Sequence, residues 1–150
     1  MSDNWIILIP ESADFVPAAD AQRRAVDLFR RIAPAADEVK TEVSDRPRFI
    51  DCGGNLERIV CPDCGREISF SWWEEVMDRE ADAEFPLIPE VLPCCGREHH
   101  IGELSYDWPQ GVARFSLEAM NPGLPSLREE QIREFETVLG SKVRMIRQHL

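Results

Sequence analysis

Two cysteine turns, about 30 residues apart, are the groups with the clearest chemistry in this sequence. The first reads CPDCG at residues 61–65, and the second reads PCCG at residues 93–96, followed by His99 and His100. Two thiolates separated by two residues can face one metal ion, and a glycine permits the sharp backbone bend that follows them. The pair of turns therefore predicts a site for a structural Zn²⁺ ion.

The second turn leaves two possible sets of metal ligands. The second turn is not CxxC, so either Cys94 and Cys95 both bind, or Cys95 binds together with a following histidine. Adjacent residues of an extended strand point to opposite faces, but flanking proline and glycine favour a turn that brings both to one side. The predicted metal ligands, with His99 as the replacement candidate, are Cys61, Cys64, Cys94 and Cys95.

The sequence also indicates the cellular compartment and the places of one further cysteine and one histidine. Five cysteines, no apolar run of membrane-spanning length and no signal-peptide pattern at the start predict a cytoplasmic protein with reduced thiols. Cys52 lies outside both turns and is expected to be a small buried hydrophobe. His100 is expected at the surface.

The negative charge of the chain is concentrated in its middle third. The formal net charge is −11, and residues 51–100 carry 12 acidic against 4 basic side chains, which is −8 of that total. This balance argues against binding to nucleic-acid phosphates or to an anionic membrane, and favours a partner protein with a basic surface. The residues predicted to contact such a partner are Trp73, Glu74, Glu75, Asp78, Glu80 and Asp82.

These acidic residues belong to a predicted helix between the two turns. Ser71 and Glu74 have the spacing of a capping box, and Trp72, Val76 and Met77 form the expected inner stripe. An exposed Trp73 would be suited to anchoring an interface. The alternative is that both tryptophans cover the metal site and its contact with the rest of the domain.

The segments on either side of residues 51–109 predict one α+β core. Residues 5–9 and 113–119 read as strands, 39–43 and 143–146 as shorter ones, and Asp20 is the expected cap of the first helix. A second helix is expected after a capping box of Ser126 and Glu129, ending at Gly140.

The order strand, helix, strand on each side of the middle segment predicts a ferredoxin-like split βαβ sandwich. Its helices cover one face of an antiparallel sheet. We expect a single domain over residues 1–150, with 1–50 and 110–150 as the core and 51–109 as an insert. The alternative is a three-layer arrangement in which the strands of the insert extend the same sheet.

The glycine-ended cysteine turns resemble those of a zinc ribbon over roughly residues 57–105. The stretch from Cys94 to Phe115 also resembles small bacterial proteins that carry CPxCG and CCG turns. The first resemblance implies a structural zinc, and the second supports both Cys94 and Cys95 as ligands. Neither implies a particular activity, because the ribbon is shared by proteins of unrelated function.

The sequence lacks GxSxG, P-loop, dinucleotide-binding and HExxH motifs, and its second turn lacks the PCxxC spacing of zinc deaminases. We therefore expect a non-catalytic, acidic protein-interaction module with a structural zinc, of the immunity, inhibitor or adaptor type. The alternatives are a zinc ribbon associated with nucleic acid or transcription, for which Arg23, Arg24, Arg30 and Arg31 offer the basic face, and a zinc-dependent hydrolase or deaminase.

Overall fold

The computed structural model describes residues 2–150 as a mixed α+β chain. Its helices and strands, in chain order, are β1 (Asn4–Pro10), α1 (Ala19–Ile32), β2 (Glu38–Ile50), β3 (Arg58–Val60), α2 (Phe70–Asp82), β4 (Glu90–Val91), β5 (Glu98–His99), β6 (Ser105–Asp107), β7 (Gly111–Met120), α3 (Glu129–Leu139) and β8 (Val143–His149). Within this described part, no helix is both long and apolar enough to cross a membrane.

The main sheet has four antiparallel strands in the order β2-β7-β1-β8. The α+β class and the antiparallel sheet are thus confirmed. The short strands of the middle segment form two separate sheets, β3 with β6 and β4 with β5, so the alternative in which they extend the main sheet is wrong. The middle segment leaves and re-enters the main sheet at neighbouring positions, because Ile50 pairs with Gly111.

One face of the main sheet packs against α1 and α3. Ile6 and Leu8 of β1 point to this side, together with Phe115 of β7, and all three are buried. Phe29 of α1 and Phe135 of α3 are completely buried against them, with ring centroids 5.1 Å apart. The apolar faces of α1 and α3 therefore form, with the sheet, the larger core of the protein.

The other face of β1 carries Ile7 and Ile9, which are also buried. They pack against Cys52, Ala113 and Ile146, with Trp108 at the margin. The unbroken apolar sequence of β1 is explained by this burial on both faces. Cys52 is fully buried, as predicted.

The helices begin at different residues from those predicted. Ala18 precedes α1, and Asp20 lies in the first turn, where its carboxylate binds Arg23 at 2.5 Å and Arg24 at 3.1 Å. Asp20 is therefore not the cap. An ion pair within the first turn gives this carboxylate a partner other than the helix N–H groups.

The two predicted capping boxes are also wrong. Ser69, not Ser71, caps α2, because its Oγ accepts a hydrogen bond from the Trp72 N–H at 3.3 Å. The α3 helix starts after Arg128, whose N–H donates to the side chain of Gln131 at 2.8 Å. Ser126 lies outside the helix and donates to the Leu127 carbonyl at 3.3 Å. Neither observed cap has the S-x-x-E pattern, because Trp72 stands three residues after Ser69 and residue 128 is an arginine.

Strand β2 is much longer than the predicted residues 39–43. It pairs with β7 up to Val43, and again from Arg48 to Ile50, with a register shift between the two stretches. Pro47 lies in this irregular part, where its missing N–H costs no ladder hydrogen bond. Since proline is rare inside paired strands, its presence obscured the second half of β2 in the sequence. At the other end of the chain, Gly140 adopts φ 77° after α3, as predicted for a left-handed helix end.

Phe135→Ala should lower the free energy of unfolding by about 3–5 kcal/mol, because it leaves a cavity beside Phe29 in a fully buried contact. Phe70→Ala is the control: its side chain is 43 % exposed, and the loss should be about 1 kcal/mol or less. Urea denaturation of both variants measures the difference. Equal losses would contradict the placement of the core between α1, α3 and the sheet.

Candidate metal centre

The first cysteine turn is a tight hairpin that follows β3. The Cys61 N–H donates to the Arg66 carbonyl at 2.9 Å, and the Gly65 N–H donates to the Cys61 carbonyl at 3.1 Å. Gly65 has φ 74°, a left-handed conformation that favours glycine. The turn therefore directs Cys61 and Cys64 to the same side of the chain.

The second turn, between β4 and β5, has the same hydrogen bonds. The Leu92 N–H donates to the Arg97 carbonyl at 2.8 Å, and the Gly96 N–H donates to the Leu92 carbonyl at 3.0 Å. Gly96 has φ 76°. Leu92 thus occupies the place in the second turn that Cys61 occupies in the first.

The two turns bring four sulfur atoms together. The Sγ atoms of Cys61, Cys64, Cys94 and Cys95 all lie within 4.8 Å of one another, and Cys61 and Cys95 are 3.8 Å apart. Tetrahedral coordination with Zn–S bonds of about 2.3 Å separates the sulfurs by about 3.8 Å. The cluster can therefore hold a metal ion. The adjacent Cys94 and Cys95 both reach it because the chain turns between Leu92 and Gly96.

The surroundings of the thiols affect their ionisation in opposite directions. The Cys64 N–H lies 3.5 Å from the Cys61 sulfur, and this backbone hydrogen bond is the main cause that lowers the pKa of Cys61 to about 6. Burial, with the neighbouring thiols adding to it, raises the pKa of Cys94 to about 12. A bound cation would allow all four sulfurs to be thiolates at once.

His99, the predicted replacement ligand, has another partner in the structure. Its Nε2 lies 2.5 Å from a carboxylate oxygen of Asp63, within the first turn. This hydrogen bond is the main cause that raises the pKa of His99 and lowers the pKa of Asp63. The pair links the two turns beside the sulfur cluster.

His100 is partly exposed and lies outside the sulfur cluster. Its Nδ1 accepts a hydrogen bond from the Gly102 N–H at 3.0 Å. It therefore caps the short 3₁₀ turn of residues 101–103.

Trp72 and Trp73 both pack beside the two cysteine turns. They contact the cluster that contains Cys61 and Leu92, and both are half-buried. The Trp73 indole N–H donates to the Tyr106 hydroxyl at 3.0 Å, and Tyr106 donates in turn to the Ile101 carbonyl at 2.6 Å. Trp73 therefore belongs largely to the packing that covers the site, which is the alternative stated for both tryptophans.

Most of the predicted acidic surface is present on α2. Glu74, Glu75, Asp78 and Asp82 are exposed. Glu80 is the correction: it is only 3 % exposed, and its carboxylate accepts hydrogen bonds from the N–H groups of Leu87 and Ile88 at 2.9 and 2.8 Å. It holds the loop after α2 and is not available to a partner.

A sequence signal for the matched turns was missed. Residues 60–68 read VCPDCGREI and residues 91–99 read VLPCCGREH, which are identical at six of nine positions. In this alignment Leu92 corresponds to Cys61, and Cys94 corresponds to Asp63. The second turn has therefore gained a cysteine two residues beyond the place where the first turn has one.

Comparison of the chain with known proteins gives no match. No family model, no curated protein and no solved structure matches the chain. Its function is therefore inferred from the cysteine cluster and from the surfaces around it.

Cys61→Ser and Cys64→Ser should each reduce the metal content and loosen residues 57–105, because the binding free energy of a structural metal is largely folding free energy. Cys52→Ser is the matched control, since this buried thiol lies outside the cluster. Metal analysis and thermal melting give the readouts. Comparable metal content and melting temperature in wild type and Cys61→Ser would contradict the assignment.

The matched backbones of the turns predict that a cysteine at position 92 can replace the one at position 94. Cys94→Asp alone should weaken zinc binding by more than about tenfold, since even outer partners of metal ligands contribute that much. The double variant Leu92→Cys/Cys94→Asp should recover one zinc per chain. Competition with a chromogenic chelator measures both, and a double variant as weak as the single one would show that position 92 does not face the ion.

Proposed function

We propose that the four cysteines hold a structural Zn²⁺ ion and that residues 51–109 are a zinc-ribbon-like insert in a ferredoxin-like core. Two glycine-ended hairpins that contribute two cysteines each support the ribbon assignment. The strand order β2-β7-β1-β8, with α1 and α3 on one face, supports the split βαβ assignment. Four thiolates fill a tetrahedral zinc site and leave no position for a reactive water, which favours a structural role over hydrolysis or deamination.

The function that we propose for the whole chain is binding to another protein through the acidic face of α2. This proposal rests on one observation. Four acidic side chains of α2 are exposed: Glu74, Glu75, Asp78 and Asp82. At 3.6 residues per turn they lie within an arc of about 100° on one side of the helix. Arg79, the cation within α2, is paired with Glu90 at 3.1 Å, so the face keeps its negative charge.

This charge favours a partner with a basic surface, as in an immunity, inhibitor or adaptor protein, acting in the cytoplasm. Trp73 contributes to this surface only with its exposed part. The nucleic-acid alternative has less support, because two of its four candidate arginines, Arg23 and Arg24, are bound to Asp20 on α1.

Glu74→Lys/Asp78→Lys should abolish capture of the partner from the native host, or weaken its binding at least about tenfold, because it places positive charge opposite a basic surface. Asp27→Lys/Glu134→Lys is the matched control, since it changes the net charge equally at exposed sites on α1 and α3. Affinity capture, followed by titration of the recovered protein at two salt concentrations, gives the measurement. The proposal fails if wild type captures no reproducible partner, or if both double variants bind it equally.

A further inference from the structure

An open pocket of about 600 Å³ lies where β1 begins and β8 ends. It shares no lining residue with the cysteine cluster or with the acidic face of α2. Its lining includes the side chains of Trp5, Asn55, Trp108, Asn121 and Arg147. Its volume is within the usual range for pockets that bind small molecules.

Arg147 gives the pocket a charge opposite to that of the whole chain. Within residues 2–150, it is the only charged side chain in the pocket lining, although the chain carries a net charge of −11. The described residues give its guanidinium no hydrogen bond and no ion pair. Its five N–H donors are therefore free to bind an anion.

The guanidinium is also held in place. Its Cζ lies 4.0 Å from the centroid of the Trp108 ring. Because the N–H bonds of a guanidinium lie in its own plane, stacking on an indole leaves them directed sideways, where a carboxylate or phosphate can accept two of them. Stacking thus orients the cation before a ligand arrives, which reduces the entropy lost on binding.

The polar walls of the pocket are ordered by bonds within the protein. The Asn55 amide donates to the Arg147 carbonyl at 3.1 Å. The Asn121 amide donates to Asp3 and Asp37 at 3.0 and 2.8 Å, so these two neighbouring carboxylates already have a partner. Trp5 is half-buried and offers an aromatic surface in the same pocket.

We propose that this pocket binds a small aromatic anion. The ring of the ligand packs against the indole of Trp5, beside the guanidinium that stacks on Trp108, and its carboxylate or phosphate accepts hydrogen bonds from Arg147. This inference does not depend on the metal site or on the acidic face of α2.

The test uses the indole N–H signals of the folded 150-residue chain in ¹⁵N–¹H NMR spectra. The chain has four tryptophans, and Trp72 and Trp73 do not line the pocket, so they are internal controls. Indole-3-acetate and adenosine monophosphate are the probes, and they distinguish a carboxylate from a phosphate ligand. We expect either probe to shift the signals of Trp5 and Trp108 selectively, and the neutral indole-3-acetamide and adenosine to bind at least about tenfold more weakly.

Arg147→Gln should weaken binding of the effective probe roughly 10- to 100-fold, the usual effect of losing hydrogen bonds to a charged group. Arg147→Lys should keep part of the affinity, and Arg31→Gln, an exposed arginine on α1, should leave it unchanged. The proposal is overturned if neither anion shifts the Trp5 and Trp108 signals at millimolar concentration, or if the neutral analogues bind as well as the anions. It is equally overturned if folded Arg147→Gln binds like wild type. If that variant does not fold, the comparison of charged and neutral probes in wild type decides whether the proposal stands.

Discussion

The meeting of two cysteine turns is the constraint on which the middle of this protein depends. Four sulfur atoms within 4.8 Å of one another cannot all be ionised without a cation between them. The structures that position them are small: four short strands, one helix and two glycine turns. Trp72, Trp73 and Tyr106 add apolar cover on one side. Beside the sulfur cluster this segment has a small core of Ile59, Ile68, Leu92 and Leu104, whereas the main sheet has the larger core around Phe29 and Phe135.

Much of this arrangement could be predicted because its signals are local. The CPDCG motif predicts a turn with both thiols on one side. The apolar spacing of α1 and α3 identifies the faces that form the main core. The unbroken apolar run of β1 is typical of a strand that is buried on both faces. The class of fold follows from the order of these elements, since each half has a strand, a helix and a strand.

The errors arose where the outcome depends on distant or competing partners. Asp20 is of the right type for a cap, but α1 begins one residue before it, and two arginines of the same helix bind its carboxylate. Glu80 lies in a row of acids, and nothing in its spacing shows that the N–H groups of Leu87 and Ile88 will turn back to its carboxylate. The matched turns are a different case, because the repeat of V-x-P-x-C-G-R-E was readable in the sequence. It was obscured by the one cysteine that differs in position.

The pairing of Ile50 with Gly111 has a consequence for how tightly an ion can be held. This pair joins the two ends of the cysteine-bearing segment within the main sheet, so the chain between them forms a closed loop. In a free peptide of the same sequence, the ion alone would have to oppose the entropy of the open chain. Closure by the sheet raises the concentration of one turn near the other, as a tether does for two linked binding groups. The core can thus strengthen ion binding without contributing a single ligand.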